Sequence, residues 1–469
     1  MSEKSGFILR LSVLLLLGIV LLNMMSSGAI ALPSVFPTGT TLYDPKRAYN
    51  SYVLFSAPDG NTHLVDMNGN EVHSWNKFGF PAEMIDPAQN GGAKGHILLQ
   101  LKNGSSPFGN IFANQEVGEL DWKGAVVWRY GNQALGKNLR QNHDINRLPN
   151  GNTLLVTTVD RVVAGVSNRP IADQQIVEVS RDGQVVWSWT VGDHIDEFGI
   201  TDQGRKLLRQ LYQEGDQGFG FLTINNMQPI GPNRWFDAGD RRFAPDNIVI
   251  DSREASFIAI IDKQTGKIVW RLGPDYGSGA DNKEKSVASA SALTKFSLAI
   301  PRPVDQTSGQ HDAHIIPQGL PGAGNLLVFD NEGPSGFPPN PLSLEVGSRI
   351  LEIDPQQKTI VWQYSGIDSD QPPWGFYSSF ISSARRLPNG NTLIDEGMNG
   401  RLFQVTPSGE IVWEYINPYN GRQNIGFDRE VSTNWVYRAQ PIPYDWVPDG
   451  TPHQEDAIAP PKKYPNHPI

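Results

Sequence analysis

The sequence has no cysteine, so it can form no disulfide and carries no cysteine for lipid attachment. It also has no basic stripe: 39 Lys and Arg stand against 49 Asp and Glu, a formal net charge of -10. Nucleic acid is therefore not an expected partner. No G-x-S-x-G motif is present, which argues against a serine hydrolase with a nucleophile elbow.

Long apolar runs are also missing, apart from one at the N-terminus. Lys4 and Arg10 precede the apolar run 11–22, and Ala29-Ile30-Ala31 follows it. This order is typical of a secretory signal peptide cleaved after residue 31. We therefore expect residues 1–31 to direct export to the periplasm or the medium, or to remain as an uncleaved membrane anchor.

Six copies of one strand motif run through the chain, as in "DGQVVWSW" and "SGEIVWEY". Each copy has a turn, a β-branched stretch and a ring at one fixed place: His73, Trp128, Trp187, Trp270, Trp362 and Trp413. An alternating strand precedes several copies, and a second hairpin with Asn-Gly or Gly-Asn at its turn precedes that strand. Two hairpins per repeat predict an all-β fold, a six-bladed β-propeller with four-stranded blades.

The ends of the repeat region predict how the ring closes. The first repeat, beginning near residue 50, supplies three strands, and "NWVYRAQPIPYDWVP" at 434–448 supplies an unpaired one. We therefore expect a propeller over 50–448, an N-terminal segment at 32–49 and a Pro-rich tail at 449–469. Insertions are predicted at 194–220, which is partly helical, and at 274–303.

Aligning the inner hairpins on their proline places four residues in one position of the repeat: His143, Thr223, His311 and Ser382. Inner strands line the channel of a propeller, so these side chains can converge on one ligand. If the strand is regular, alternation sends His311 and His314 to opposite faces, and only His311 faces the channel. The same alternation disfavours a metal site, because His-x-x-His usually chelates from a helix.

The motifs "HDINRLPNGNTLL", "DNIVIDSREASFIAIIDKQTGKIVWRLG", "GQHDAHIIP" and "NLLVFDNEG", with the closing strand, resemble those of the bacterial arylsulfate sulfotransferases. The resemblance covers most of residues 50–448 and implies a nucleotide-independent transferase. It implies that His311 is the nucleophile, that His143 is a channel histidine and that Arg253 grips the sulfate. A further family histidine, in a His-x-Asn setting, is replaced by Thr223, and Asn331 is a candidate to hold His311 or the oxyanion.

The resemblance implies an aryl sulfate donor, a phenolic acceptor, no cofactor and ping-pong kinetics through a sulfurylated histidine. Two alternatives stay open. Thr223, which cannot carry charge, leaves room for a non-catalytic propeller that binds an anionic or aromatic ligand. Trp-bearing repeats also occur in quinoprotein-like dehydrogenases, although those usually have eight blades. The motifs specify no oligomeric state.

Overall fold

The structure is a computed structural model that describes residues 37–102, 112–131, 139–200, 202–213, 222–273, 307–333, 347–423 and 430–460. These residues belong to one unit, Phe36–Ile469. The predicted signal or anchor at 1–31 and the insertion at 274–303 lie outside the described residues. No helix within the described ranges is long and apolar enough to cross a membrane.

Six antiparallel sheets form the blades of a propeller, as the repeat predicted. Blade 1 contains β2 (Tyr52–Ser56), β3 (Thr62–Val65) and β4 (Glu71–Trp75); blade 2 contains β5 (Glu83–Met84), β6 (Ile97–Lys102), β7 (Glu116–Leu120) and β8 (Val126–Gly131). Blade 3 contains β9 (Gln141–Arg147), β10 (Thr153–Arg161), β11 (Ile171–Val179) and β12 (Val185–Thr190); blade 4 contains β13 (Ile224–Pro229), β14 (Ile248–Ser252), β15 (Phe257–Ile261) and β16 (Ile268–Leu272). Blade 5 contains β17 (His311–Ile315), β18 (Leu326–Asp330), β19 (Arg349–Asp354) and β20 (Thr359–Tyr364); blade 6 contains β21 (Ser383–Arg386), β22 (Thr392–Glu396), β23 (Arg401–Val405) and β24 (Ile411–Ile416). In the described part of the chain, the α-helices α1 (Asp202–Gln213) and α2 (Arg234–Asp237), several short 3-10 helices and a small hairpin of β25 (Gly421–Gln423) and β26 (Val431–Thr433) lie in the connections.

The ring closes through a strand from the far end of the chain. The last strand, β27 (Ala439–Ile442), pairs antiparallel with β2 and completes blade 1 as its innermost strand. This arrangement confirms the closure expected from the incomplete first repeat.

Both flanking segments add to the ring. The strand β1 (Gly39–Tyr43) pairs with β24 as a fifth, outermost strand of blade 6, so part of the N-terminal segment belongs to the propeller. The start of the tail runs beside it, where Tyr43 and Ile458 exchange two backbone hydrogen bonds of 2.9 Å. The backbone N–H of Gln454 also donates to Asp66 in the β3–β4 turn. The described part of the tail thus straps the seam between blades 6 and 1.

The repeated ring residue joins each blade to the next. Its N–H donates to a backbone carbonyl in an outer turn of the following blade: His73 to Trp122, Trp128 to Arg181, Trp187 to Lys263, Trp270 to Pro355, Trp362 to Pro407 and Trp413 to Met67. The last of these bonds, 2.7 Å long, links blade 6 back to blade 1. Because a carbonyl only accepts, His73 must carry its proton on Nε2 and takes the place of an indole.

Apolar side chains fill the six spaces between blades. Each of six buried clusters combines residues of two adjacent blades, and the cluster between blades 3 and 4 also takes in Leu208 of α1. A blade is covered by a neighbour on both faces, so its middle strands read as continuous apolar runs rather than as alternating ones. The inner strands, by contrast, carry many buried polar and charged side chains.

Candidate active site

The inner strands leave regular β geometry at the aligned position. A residue with positive φ occurs at it or beside it in blades 3, 4, 5 and 6: His143 (53°), Leu222 (47°), Asp312 (58°) and Ser382 (94°). In blade 5 this makes a bulge, because His311 pairs with Phe329 and His314 pairs with Leu327. Three steps along β17 thus match two along β18.

The bulge overturns the expectation that His311 and His314 point to opposite faces. Phe329 and Leu327 are two residues apart and share a face, so the histidines paired with them share it too. Both rings are buried and lie toward blade 6, where the backbone N–H of Ile381 donates to His311 and the charge of Arg385 lies near His314. Their chemical settings nevertheless differ, since Nδ1 of His314 donates to the backbone carbonyl of Asp312.

His311 is held in a single tautomer from two sides. The amide nitrogen of Asn331 donates to the carbonyls of Ser378 and Ile381, at 2.8 and 2.9 Å, so its oxygen must face His311. Nδ1 of His311 donates to that oxygen over 2.7 Å. The backbone N–H of Ile381 donates to Nε2 over 3.2 Å. The proton therefore lies on Nδ1, and Nε2 carries the lone pair.

His143 is fixed in a similar way by its neighbour in sequence. The amide nitrogen of Asn142 donates to Arg140 O and Thr158 Oγ1, which turns its oxygen toward His143. Nδ1 of His143 donates to this oxygen over 2.8 Å. The nitrogen without a proton is again Nε2. The order Asn-His in "QNHD" could have signalled this support, although sequence reasoning did not single out Asn142.

Arg253 lies in the turn between β14 and β15, and its charge acts on both histidines. Burial lowers the pKa of His311 to about 3, helped by Arg253 and His143. Burial and then Arg253 lower the pKa of His143 to about 3. The guanidinium pairs with the neighbouring Glu254, while its buried Nε has no hydrogen-bond partner in the part of the chain that the structure describes. The structure therefore brings His143, His311 and Arg253 close enough for the cation to act on both imidazoles.

Thr223 is buried directly before β13, at the same inner position of blade 4. Two residues later, Asn225 accepts from the backbone N–H of Arg253 over 3.0 Å and donates to the carbonyl of Gln310 over 3.1 Å. Asn225 thus joins the turn that holds Arg253 to the segment that leads into His311. Sequence reasoning missed it, although a Thr-x-Asn order in place of His-x-Asn was the available signal.

Aromatic rings border the site on the side of blades 1 and 2. The ring of His143 lies 5.8 Å from that of Phe80 and 5.2 Å from that of Phe112. Phe80 stacks on Tyr437 at 3.8 Å, and both belong to a buried aromatic cluster with Phe78 and Trp435. A neutral imidazole with a fixed lone pair, a nearby cation and an aromatic wall together suit a ligand that is both anionic and aromatic.

Comparison with known proteins gives a family match. Residues 55–438 match the arylsulfotransferase (ASST) family, which confirms the resemblance predicted from the motifs. A search of curated protein sequences returned no significant match.

Among solved structures, the chain is similar to a protein of unknown function from Bacteroides caccae (11% identity, 84% of this chain and 99% of that one, TM-score 0.43). It is also similar to a streptogramin B lyase (12%, 87% and 95%, 0.38) and to the quinohemoprotein alcohol dehydrogenase of Comamonas testosteroni (12%, 89% and 76%, 0.37). Likenesses this remote do not distinguish between activities.

Proposed function

This chain belongs to the arylsulfotransferase family, and from that premise we propose that it moves a sulfuryl group from a phenolic sulfate ester to a phenol through a sulfohistidine at His311. The observation that carries the proposal is the fixed state of His311. Its ring is neutral, its proton is held on Nδ1 by Asn331, and Nε2 is the nitrogen with the lone pair.

In the first half-reaction, Nε2 of His311 attacks the sulfur of the aryl sulfate. The N–S bond forms as the S–O bond to the aryl group breaks, and the phenolate oxygen leaves with the electron pair. The N–H of Ile381, which faces Nε2 before attack, would have to turn to a sulfuryl oxygen. Arg253 would supply a cation to the sulfuryl oxygens, and positioning with charge neutralisation is what a loose transition state requires.

His143 is the group proposed to move the proton. Before substrate binds, its pKa is lowered to about 3 by burial and by the charge of Arg253. A bound sulfate ester would offset that charge and raise the pKa of His143, so that His143 can take up a proton from solvent and pass it to the leaving phenolate. In the second half-reaction, the oxygen of the acceptor phenol attacks the sulfur of the sulfohistidine while neutral His143 accepts the proton of that phenol. The N–S bond breaks, and Nε2 of His311 regains its lone pair.

The aromatic wall supports the aryl part of the substrate. Phe80 and Phe112 lie beside His143 and can contact a phenyl ring whose oxygen reaches that imidazole. Thr223 offers a hydroxyl where other family members offer an imidazole, so this chain relies on His143 for proton transfer. We also propose that the protein is exported, which is supported by the N-terminal sequence pattern alone.

The test is brief exposure of the protein to 4-nitrophenyl sulfate, followed by mass spectrometry of the peptide that contains His311. We expect the mass gain of one sulfuryl group on wild type and on His314→Ala, and none on His311→Ala. His314 is the matched control because it is buried on the same face of the same strand.

Addition of phenol should discharge the adduct and release phenyl sulfate, and initial rates should show ping-pong kinetics. Undiminished transfer by His311→Ala would refute the mechanism. Binding of aryl sulfates by wild type with neither adduct nor transfer would instead favour a non-catalytic binding propeller.

A further inference from the structure

One arginine on the closing strand reaches the inner strands of four other blades. Arg438 stands directly before β27, and its side chain is only 4% exposed. Its guanidinium contacts Glu83 Oε1 (3.0 Å, blade 2), Asp144 Oδ1 (2.9 Å, blade 3), Asn226 Oδ1 (3.0 Å, blade 4) and Asp312 Oδ1 (3.3 Å, blade 5). A single planar group with these partners lies at the axis of the ring.

Two of the carboxylates in this contact directly follow the two site histidines. Asp144 comes after His143, which has a positive φ of 53°, and Asp312, which has a positive φ of 58°, comes after His311. Because each histidine and its aspartate are adjacent in the chain, a shift of the carboxylate also shifts the imidazole. By holding these two carboxylates, Arg438 therefore influences the positions of both His143 and His311.

Each carboxylate is also tied to the next blade. Asp144 accepts the backbone N–H of Met227 over 2.7 Å, and Asp312 accepts that of Ala384 over 3.2 Å. The carboxylates thus link blade 3 to blade 4 and blade 5 to blade 6, while Arg438 links the two pairs. Arg438 and these two carboxylates thus connect the inner strands of blades 3 to 6 beside the two histidines.

We propose that Arg438 is a positioning residue for sulfuryl transfer, which holds the carboxylates beside His143 and His311 so that the two imidazoles keep their relative placement. The inference rests on the function proposed above. The inference predicts that the two histidines depend unequally on Arg438. Asp312 is also paired with Arg385 at 2.7 Å, whereas among the described residues the cation paired with Asp144 is Arg438.

The charges around the two aspartates also indicate that Asp144 depends more on Arg438 than Asp312 does. Burial raises the pKa of Asp144, and Arg438 is the strongest group opposing that rise. For Asp312, Arg385 is the strongest opposing group and Arg438 comes second. Loss of the guanidinium leaves Asp144 as a buried carboxylate without its cation, a costly state that favours protonation or movement. His143 should therefore be displaced more than His311.

The experiment compares Arg438→Met and Arg438→Lys with Arg401→Met. Arg401 is a matched control because it is also buried and paired with two carboxylates, those of Glu396 and Glu414, neither of which adjoins His143 or His311 in the chain. Thermal unfolding first shows that each variant is folded at the assay temperature. Rapid-quench mass spectrometry then measures the two half-reactions separately: formation of the His311 adduct, and its discharge by phenol.

With 4-nitrophenyl sulfate as the donor, whose acidic leaving group departs without a proton, we expect Arg438→Met to slow adduct formation by less than about threefold. Discharge by phenol, which needs His143, should slow on the order of 10²-fold. Arg438→Lys should fall between wild type and Arg438→Met, because a point charge cannot reproduce the planar fork. Arg401→Met should leave both steps unchanged. Equal slowing of the two steps, or no slowing, would overturn the proposal.

A second measurement works without turnover. In protein with ¹⁵N-labelled histidine, Arg438→Lys should shift the imidazole signals of His143 strongly and those of His311 weakly, and leave those of His194 in place. Unchanged His143 signals would overturn the positioning role. If wild type forms no His311 adduct, the proposed function fails, while these signals still decide whether Arg438 positions the histidines.

Discussion

Lowering the pH from 8 to 5 should leave the nucleophile of this site intact. Attack requires neutral imidazole, so the rate of His311 sulfurylation follows the unprotonated fraction. A histidine with the ordinary pKa of about 6.5 is about 97% protonated at pH 5, which would cut the rate about 30-fold. Burial, with Arg253 and His143, lowers the pKa of His311 to about 3. About 1% is then protonated at pH 5, so the rate should be flat.

The assay is single-turnover release of the phenol from an aryl sulfate whose leaving group is acidic enough to depart without a proton. At donor concentrations well below KM, the second-order rate constant reports attack by His311 of the free enzyme and not proton transfer by His143. Parallel titration of ¹⁵N-labelled imidazoles reads the protonation state directly. We expect no acid limb between pH 8 and 5, and an Nδ1–H tautomer for His311 throughout.

Arg253→Met tests the assigned cause of the shift. Removing the cation should raise the pKa of His311, because the second-largest cause of the shift is gone. That pKa should stay below the ordinary value, because burial, the largest cause, remains. A wild-type acid limb with a midpoint near 6.5, matched by a His311 imidazole titration with the same midpoint, would refute the reasoning. An unchanged His311 titration in Arg253→Met would show that the cation is not a cause.

Two further variants test support around the ring and the site. Trp413→Phe removes the buried donor to the carbonyl of Met67 and should lower the free energy of unfolding in urea by about 1–3 kcal/mol; Trp362→Phe, whose bond is exposed, should cost less, and equal losses would contradict a closure role. Asn331→Leu removes the acceptor that fixes the tautomer of His311 and should lower the rate of adduct formation roughly 10²-fold with little change in donor KM; a larger effect on KM than on kcat would contradict it.

Much of the ring could be predicted because its signals are local and repeated. The ring residue and the turn before it recur in all six repeats, and the Asn-Gly or Gly-Asn hairpin recurs in some of them, always in the same order. The first repeat lacks one strand, which β27 provides. The position of β1 on β24 could not be predicted in this way. Its sequence, "GTTLY", has no periodic partner, and its pairing depends on an exposed strand edge that exists only in the closed ring.

The site shows the same division between local and distant causes. Alignment of the inner hairpins placed His143 and His311 at one position because their distance to the following proline is a local feature. The common face of His311 and His314 was not predictable, because alternation fails where Asp312 takes a positive φ. Aspartate tolerates this conformation better than most residues, but the conformation still costs about 1–3 kcal/mol and must be stabilised from outside. Its carboxylate is held by Arg385 and Arg438, which come from another blade and from the closing strand. The rule of alternation therefore breaks where partners distant in sequence fix the backbone beside the proposed nucleophile.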